Sequence, residues 1–331
     1  MLISWVRDEG GDSLYLVILI IILNLSFIHL SCCDMPLNKS WHDYNESLIE
    51  RGRVLIDVSF LKSSNKEIKK MNIGKVGAPF QYSDSYVRFL AFLKIGFKIP
   101  YRMLQGIVRG LSEYVKIVEE IHFTHIRRRM IRIKPSIGID NDIDNEEPIR
   151  LVVDASGLTV SKKGDYIEEK WIRKKKEFIK LHIAADAKSK KVISFRITRG
   201  NVHDAKKFCP LVRESSKKYN IDKVYADKAH DNRRNFNLLK RLDVEPVIAI
   251  RNNASTREKA CPLRREEVLL IKKLGYQRWK QIKDAGRRWI AEIVFSSIKR
   301  VLGEDLFSKK FSAQKVEAGL KILLYNKFIS L

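Results

Sequence analysis

Between Leu151 and Ile250 the apolar residues fall into strand-length and helix-length runs in a fixed order, and that order limits the fold more than any other feature of the chain. LVVDASGLTV comes first. FIKLHIAADAKSKKVISFRITRG then gives two runs rich in Ile, Val and Phe, parted by the polar turn AKSKK. DAKKFCPLVRESSKKYN reads as a helix containing Leu211 and Val212, KVYADKAHD as a fourth strand, Asn232 to Leu242 as a helix and VEPVIAI as a fifth strand. Three strands joined in sequence are most simply an antiparallel meander. The whole order predicts an α+β or mixed α/β domain, a five-stranded mixed sheet with flanking helices.

This is also the strand order of the ribonuclease H-like fold, in which the first and fourth strands are neighbours. Each of those two runs carries a bare carboxylate: Asp154 in LVVDASG and Asp227 in VYADKAH. Two adjacent carboxylates repel, and each resists ionisation unless a cation sits between them. Mg²⁺ suits that place, because it is usually held by a few carboxylates and by substrate phosphate oxygens. A third carboxylate, Glu292, lies in GRRWIAEIVFSSIKRVLGE, a predicted helix with Trp289, Ile293, Ile298 and Val301 among its apolar positions. Arg288 is one turn before Glu292 and Lys299 two turns after it, so the three share roughly one face.

Charge points to a polyanionic partner. The formal net charge is +25, with 64 Lys+Arg against 39 Asp+Glu, far more than solubility requires; nucleic acid is the first candidate and an acidic membrane surface the second. Cys32, Cys33, Cys209 and Cys261 form no CxxC pair and no cluster with histidine, which argues against a zinc knuckle or a disulfide framework.

The first part of the chain reads as helical to about Lys134. Trp41 to Leu61 carries apolar residues at helical spacing, and the Gly-containing break IGKVGAPF follows. Ser83 or Asp84 offers an N-cap to a helix with Val87, Leu90, Ala91 and Ile95 that Gly96 stops. After the turn FKIP, Tyr101 to Val118 gives a second helix with Leu104, Ile107, Val108, Leu111 and Val115 on one face. Two helices about a short turn, surrounded by Arg88, Lys94, Lys98, Arg102 and Arg109, suit either a helix-turn-helix DNA reader or a plain helical hairpin with solvated cations. In HIRRRMIRIK, the run with Arg127, Arg128 and Arg129 suits phosphate contacts better than base reading. IDNDIDNEEP then inverts the charge and reads as a solvated linker. Its DxDxD start is not a calcium loop, since Asn145 takes the required glycine position and Leu151 the required glutamate.

Leu14 to Leu30 is apolar enough for a signal h-region or a marginal span, but Asp8, Glu9 and Asp12 precede it where a signal peptide is basic, and Asn24, Ser26 and His29 interrupt it. We read residues 1–34 as a hydrophobic extension that need not belong to the native protein, with translation starting at Met35 and a membrane location disfavoured. The remaining boundaries follow: 35–138 a helical DNA-binding domain, 139–148 an acidic linker, and 149–331 the sheet domain with a basic insertion at 251–285. The insertion, with a helical centre at Glu266 to Leu274, is either a grip on DNA or a lid ordered by DNA.

These residues together resemble a prokaryotic insertion-sequence transposase of the DDE type, in the insertion sequence 5 group. Asp154 in VVDASG, Asp227 in ADKAHD and Glu292 in RWIAEIVFSSIKR carry the resemblance, with further likeness in KLHIAAD, GNVHD and WHDYNESLIERG; it covers about Trp41 to Tyr325. Related transposases carry Tyr-x2-Arg-x3-Glu-x6-Lys on the glutamate helix. This chain has Arg288, Glu292 and Lys299 at that spacing but Ala285 in place of the tyrosine, which puts that residue's DNA contact in doubt.

The resemblance implies a DNA strand cleavage and transfer reaction with two Mg²⁺ ions, or Mn²⁺, held by Asp154, Asp227 and Glu292 as catalytic ligands. It implies phosphate contacts from Arg288, Lys299 and Arg300, and Lys228 beside Asp227 is a further candidate. Asp204 and His203 are candidates to support the site from behind; Asp186 is a rival carboxylate with a simple explanation as a turn residue. Trp279 reads as core or as a stacking residue, and Trp289 as core. The implied partners are element terminal repeats and target DNA, bound by a homodimer in the cytoplasm beside the nucleoid, with no small-molecule substrate. The alternative is a transposase-derived DNA-binding protein that holds element ends without cutting them.

Overall fold

A computed structural model describes residues 40–115, 119–133, 147–160, 178–257 and 260–331, and these form two compact units, Met1–Lys134 and Pro135–Leu331. The hydrophobic extension, Met35, Lys134 and most of the acidic linker lie outside the described residues. Among the described residues no helix is long and apolar enough to cross a membrane.

In the first unit Ser40 caps α1 (Trp41–Leu55) by accepting from Asp43 N. The single helix expected to reach Leu61 is broken: the Asp57 carboxylate accepts from Ser59 N at 2.9 Å, a local turn that competes with the helical ladder, and α2 (Phe60–Asn72) starts after it. Ser83 caps α3 (Asp84–Gly96) as expected, and Val87, Leu90, Ala91 and Ile95 are all buried. The turn Phe97–Pro100 places Lys98 in the left-handed region and leads into α4 (Tyr101–Tyr114). That helix ends short of Val118, with Val115 already extended, and buries only Leu104 and Val108. The run of arginines forms α5 (Phe123–Arg132), which buries Ile126 and Met130.

In the second unit the sheet is mixed, as expected. β1 (Ile149–Val160), β2 (Phe178–Asp186) and β3 (Val192–Arg199) form the antiparallel meander. After α6 (Ala205–Ser216) the chain returns in β4 (Ile221–Ala226), parallel to β1, and after α7 (Arg233–Arg241) in β5 (Glu245–Ile248), parallel to β4. The order β3-β2-β1-β4-β5 is the ribonuclease H-like arrangement. Leu151, Val153, Val224 and Ala226 pack with Phe208 and Leu211 of α6 and Phe236 and Leu239 of α7 in the main core.

The basic insertion is folded. Pro262 begins α8 (Pro262–Leu274), four residues earlier than the expected helical centre, because proline suits the first helical position. α9 (Tyr276–Ile282) follows and carries Trp279, which is fully buried and donates from Nε1 to Glu267 at 2.9 Å. Lys283 bridges Glu267 at 2.9 Å and Glu245 at 2.8 Å, tying the insertion to the edge of the sheet. A short 3-10 turn (Ala285–Arg288) leads into α10 (Trp289–Leu302).

Of the two tryptophan expectations, one is decided and one corrected here. Trp279 is core, whereas Trp289 is 53% exposed, because α10 buries the face bearing Ile290, Ala291, Val294 and Ile298. The expected five-stranded sheet also gains a sixth, two-residue strand. This β6 (Asp305–Leu306) pairs with the far end of β1, and α11 (Phe311–Ile329) follows it.

The burial of Trp279 gives a stability prediction. Trp279→Ala removes the largest fully buried side chain and is expected to cost about 3–5 kcal/mol in chemical denaturation. Trp289→Ala, at an exposed position, is expected to cost less than about 1 kcal/mol.

Candidate active site

β1 and β4 run parallel with Val153 paired to Ala226, so the next residues, Asp154 on β1 and Asp227 just past β4, stand side by side. Asp154 is still inside β1, and its Oδ1 accepts from Ala155 N at 2.8 Å. Asp227 is the first residue past β4; its Oδ1 accepts from Ala229 N at 3.0 Å and caps the 3-10 turn Lys228–His230. The Asp154 carboxyl is pushed up to about 6, chiefly by burial and also by the charges of Asp227 and Glu292, against the lowering effects of the Ala155 N–H and Arg288. Asp154 is therefore a carboxylate under strain, with two others close enough to be felt.

Glu292 is in the first turn of α10. It shares with Asp154 an open cleft of about 620 Å³, lined also by Ser156, Ser296, Lys299 and Arg300. The Glu292 side chain is 65% exposed, and Arg288 Nη2 stands 3.7 Å from its Oε1. Lys299 lies 3.7 Å from Glu304, and Arg300 donates to Ser296 Oγ at 3.3 Å. Lys228 is exposed beside Asp227 and donates to Asn252 Oδ1 at 3.2 Å.

Behind Asp227, His230 is buried against Phe208 with ring centroids 5.3 Å apart, and its Nε2 is 3.7 Å from Asp227 Oδ1. Burial lowers its pKa, and its Nδ1 makes no hydrogen bond. Asp204 pairs with Lys180 at 3.0 Å and lies 3.7 Å from His182, whose pKa burial lowers to about 4. The charge of Asp204 reaches His230, which links it to Asp227 at one remove. His203 accepts from Ala205 N at 3.3 Å. Asp186 is a turn residue: it pairs with Leu151, three residues from Asp154, and accepts from Ser189 N and Oγ, both at 2.7 Å.

Of the basic candidates in the first unit, Arg127 and Arg128 are exposed on α5, and Arg102 lies 5.4 Å from the Phe123 ring. Arg129 is used otherwise. It pairs with Asp84 at 2.6 Å, donates to Tyr82 O at 3.0 Å and stacks on Phe80, so it holds α5 to the start of α3 instead of facing outward.

The donor set suits a hard divalent cation: carboxylate oxygens, one of them buried and resisting ionisation. Among the described residues no three His, Cys, Asp or Glu side chains converge closely enough to enclose an ion, and Glu292 is the carboxylate turned outward to Arg288.

The family description "Transposase DDE domain" matches residues 145–327, more than half of the chain. The chain belongs to the DDE transposases. A second description of the same name matches residues 49–163, carrying the family likeness into the helical unit. Among solved structures the chain is similar to a piggyBac transposase synaptic complex with hairpin DNA, at 12% identity over 86% of this chain and 81% of that one, with a TM-score of 0.29. It is also similar to the Mos1 transposase paired-end complex with the left transposon end, at 13% identity over 91% and 100% of the two chains and a TM-score of 0.23. Membership of the DDE transposases rests on the domain match and not on these distant superpositions.

The raised Asp154 pKa fixes the sign of a pH effect. Folded Asp154 holds its proton more tightly than the unfolded chain, so stability falls as pH rises from about 4 to about 6, and the penalty persists above that. A shift from 3.8 to about 6 corresponds to a penalty on the order of 3 kcal/mol. Without divalent metal, Asp154→Asn is therefore expected to melt above the unsubstituted chain at pH 7.5 and level with it at pH 4. An equal difference at both pH values would contradict this account of Asp154.

Proposed function

We propose that this chain is a DNA transposase of the insertion sequence 5 group that binds the ends of its element and catalyses metal-dependent phosphodiester cleavage and strand transfer. The observation that carries the reading is the parallel register of β1 and β4, which sets Asp154 beside Asp227, with Glu292 across the same cleft as Asp154. All three lie inside the family match. The strongly basic charge of the chain favours DNA as the partner.

Asp154 and Asp227 would hold Mg²⁺, or Mn²⁺ in its place, with Glu292 completing the set. When bound, the divalent ions supply Lewis acidity that makes water or a DNA 3′-hydroxyl nucleophilic and stabilises the leaving oxygen. The Ala155 and Ala229 N–H groups orient the two aspartates by donating to them. Arg288, Lys299 and Arg300 line the approach and neutralise DNA phosphates there, while Lys228 does so beside Asp227. In the helical unit, α3 and α4 form the DNA-reading hairpin, and Arg102, Arg127 and Arg128 contact the backbone. A homodimer would hold the two ends together.

The test uses labelled DNA carrying the element's own ends with Mg²⁺ or Mn²⁺. Nicking at the ends is expected from the unsubstituted chain and is expected to fall at least about a thousandfold in Asp154→Asn and Asp227→Asn, because each loses a metal ligand. Tight binding without cleavage in either metal would overturn the enzyme reading. Arg127→Gln with Arg128→Gln is expected to weaken binding to all sequences alike and to reduce the slope of log K against log salt by about 2, one for each phosphate left unneutralised.

A further inference from the structure

The turn carrying Asp227 is held from the insertion by a buried charge. Asp231, one residue past that turn, has a side chain with no exposed surface. Arg264 of α8 grips it with two donors, Nε to Oδ1 at 2.6 Å and Nη2 to Oδ2 at 3.1 Å. Arg251 adds its backbone N–H to Oδ2 at 3.0 Å and its Nε to Lys228 O at 3.3 Å, and Asn252 accepts from Lys228 Nζ. From the other side, Asn235 Nδ2 donates to His230 O at 2.9 Å. The turn between Asp227 and Asp231 is thus fixed at several points, most of them from residues 251–264.

A buried ion pair is weak evidence for stability, since well-packed apolar residues often serve as well or better. What a bidentate Arg–carboxylate pair supplies is fixed geometry. Partners that orient metal ligands from behind characteristically alter metal affinity when they are removed. We infer that Arg264 is a positioning residue: acting through Asp231, it clamps the turn that aims the Asp227 carboxylate at the metal. The inference rests on the reading of Asp227 as a ligand. It makes the insertion part of the active site's frame, so that the segment next to the catalytic turn sets its geometry.

The test is Mn²⁺ binding by the full chain without DNA, followed by the electron paramagnetic resonance of free Mn²⁺, alongside thermal melting. Arg264→Met strands a buried carboxylate and is expected to lower both stability and Mn²⁺ affinity. Asp231→Asn with Arg264→Met removes both charges and is expected to recover the melting temperature while half-saturating Mn²⁺ stays at least about tenfold higher. Arg264→Lys, which keeps the charge without the fork, is expected to fall between. Should Arg264→Met fail to fold, the double variant and Arg264→Lys decide the question. Mn²⁺ affinity that recovers with stability in the double variant would show Arg264 to be merely structural and overturn the inference. Mn²⁺ binding that is absent from the unsubstituted chain, or indifferent to Asp227→Asn, would overturn the ligand reading and this inference with it.

Discussion

The pairing of β1 with β4 is the constraint on which the rest of the second unit depends. Parallel register with Val153 opposite Ala226 brings two aspartates to one place on the sheet, with one of them largely buried. A fold selected for stability alone would not leave that conflict in its core. Here the backbone sustains it: Ala155 N and Ala229 N each donate to one aspartate, and the apolar faces of α6 and α7 close the core beneath. The burial of a carboxylate, with the repulsion from its neighbours added, is what destabilises the free protein and what a divalent cation relieves, so the same geometry that costs stability supplies affinity.

The other carboxylate depends on a different support. Glu292 sits at the start of α10, and the chain leaving that helix is fastened by buried charges on α11. Lys321 donates to Gly303 O at 2.6 Å and Asp305 O at 2.9 Å, and Glu317 accepts from Phe307 N at 3.0 Å and Ser308 N at 2.9 Å. Each of these buried groups is satisfied by backbone partners. Together with β6 on the end of β1, they make α10 part of the sheet's frame, with the exposed Glu292 side chain between Arg288 and the cleft.

Much of this was legible in the sequence because it depends on local pattern. The meander, the alternation of strands and helices, and the positions of Asp154 in the first strand run and Asp227 at the end of the fourth follow from apolar periodicity. Ser83 was legible as a cap because a hydroxyl before an apolar helix has one common use. What was not legible depends on contacts between distant segments. Trp279 and Trp289 look alike in sequence; the bond from Trp279 to Glu267 and the packing of α9 made the first core, and the face chosen by α10 left the second exposed. Arg129 was indistinguishable from Arg127 and Arg128 until Asp84 and Phe80 were seen to claim it. Asp231 carried a weak signal, a second aspartate four residues after the first, but its partner Arg264 lies 33 residues away. β6, with two residues, has no periodicity to read.

The most direct test of the metal-bridged carboxylate site is to replace Mg²⁺ with Fe²⁺ and, with ascorbate and peroxide, map where hydroxyl radicals made at the ion cut the protein backbone in the presence of element-end DNA. The account predicts cuts beside residues 154, 227 and 292, segments far apart in sequence, that disappear in Asp154→Asn. Cuts elsewhere, or the same cuts in that variant, would contradict it.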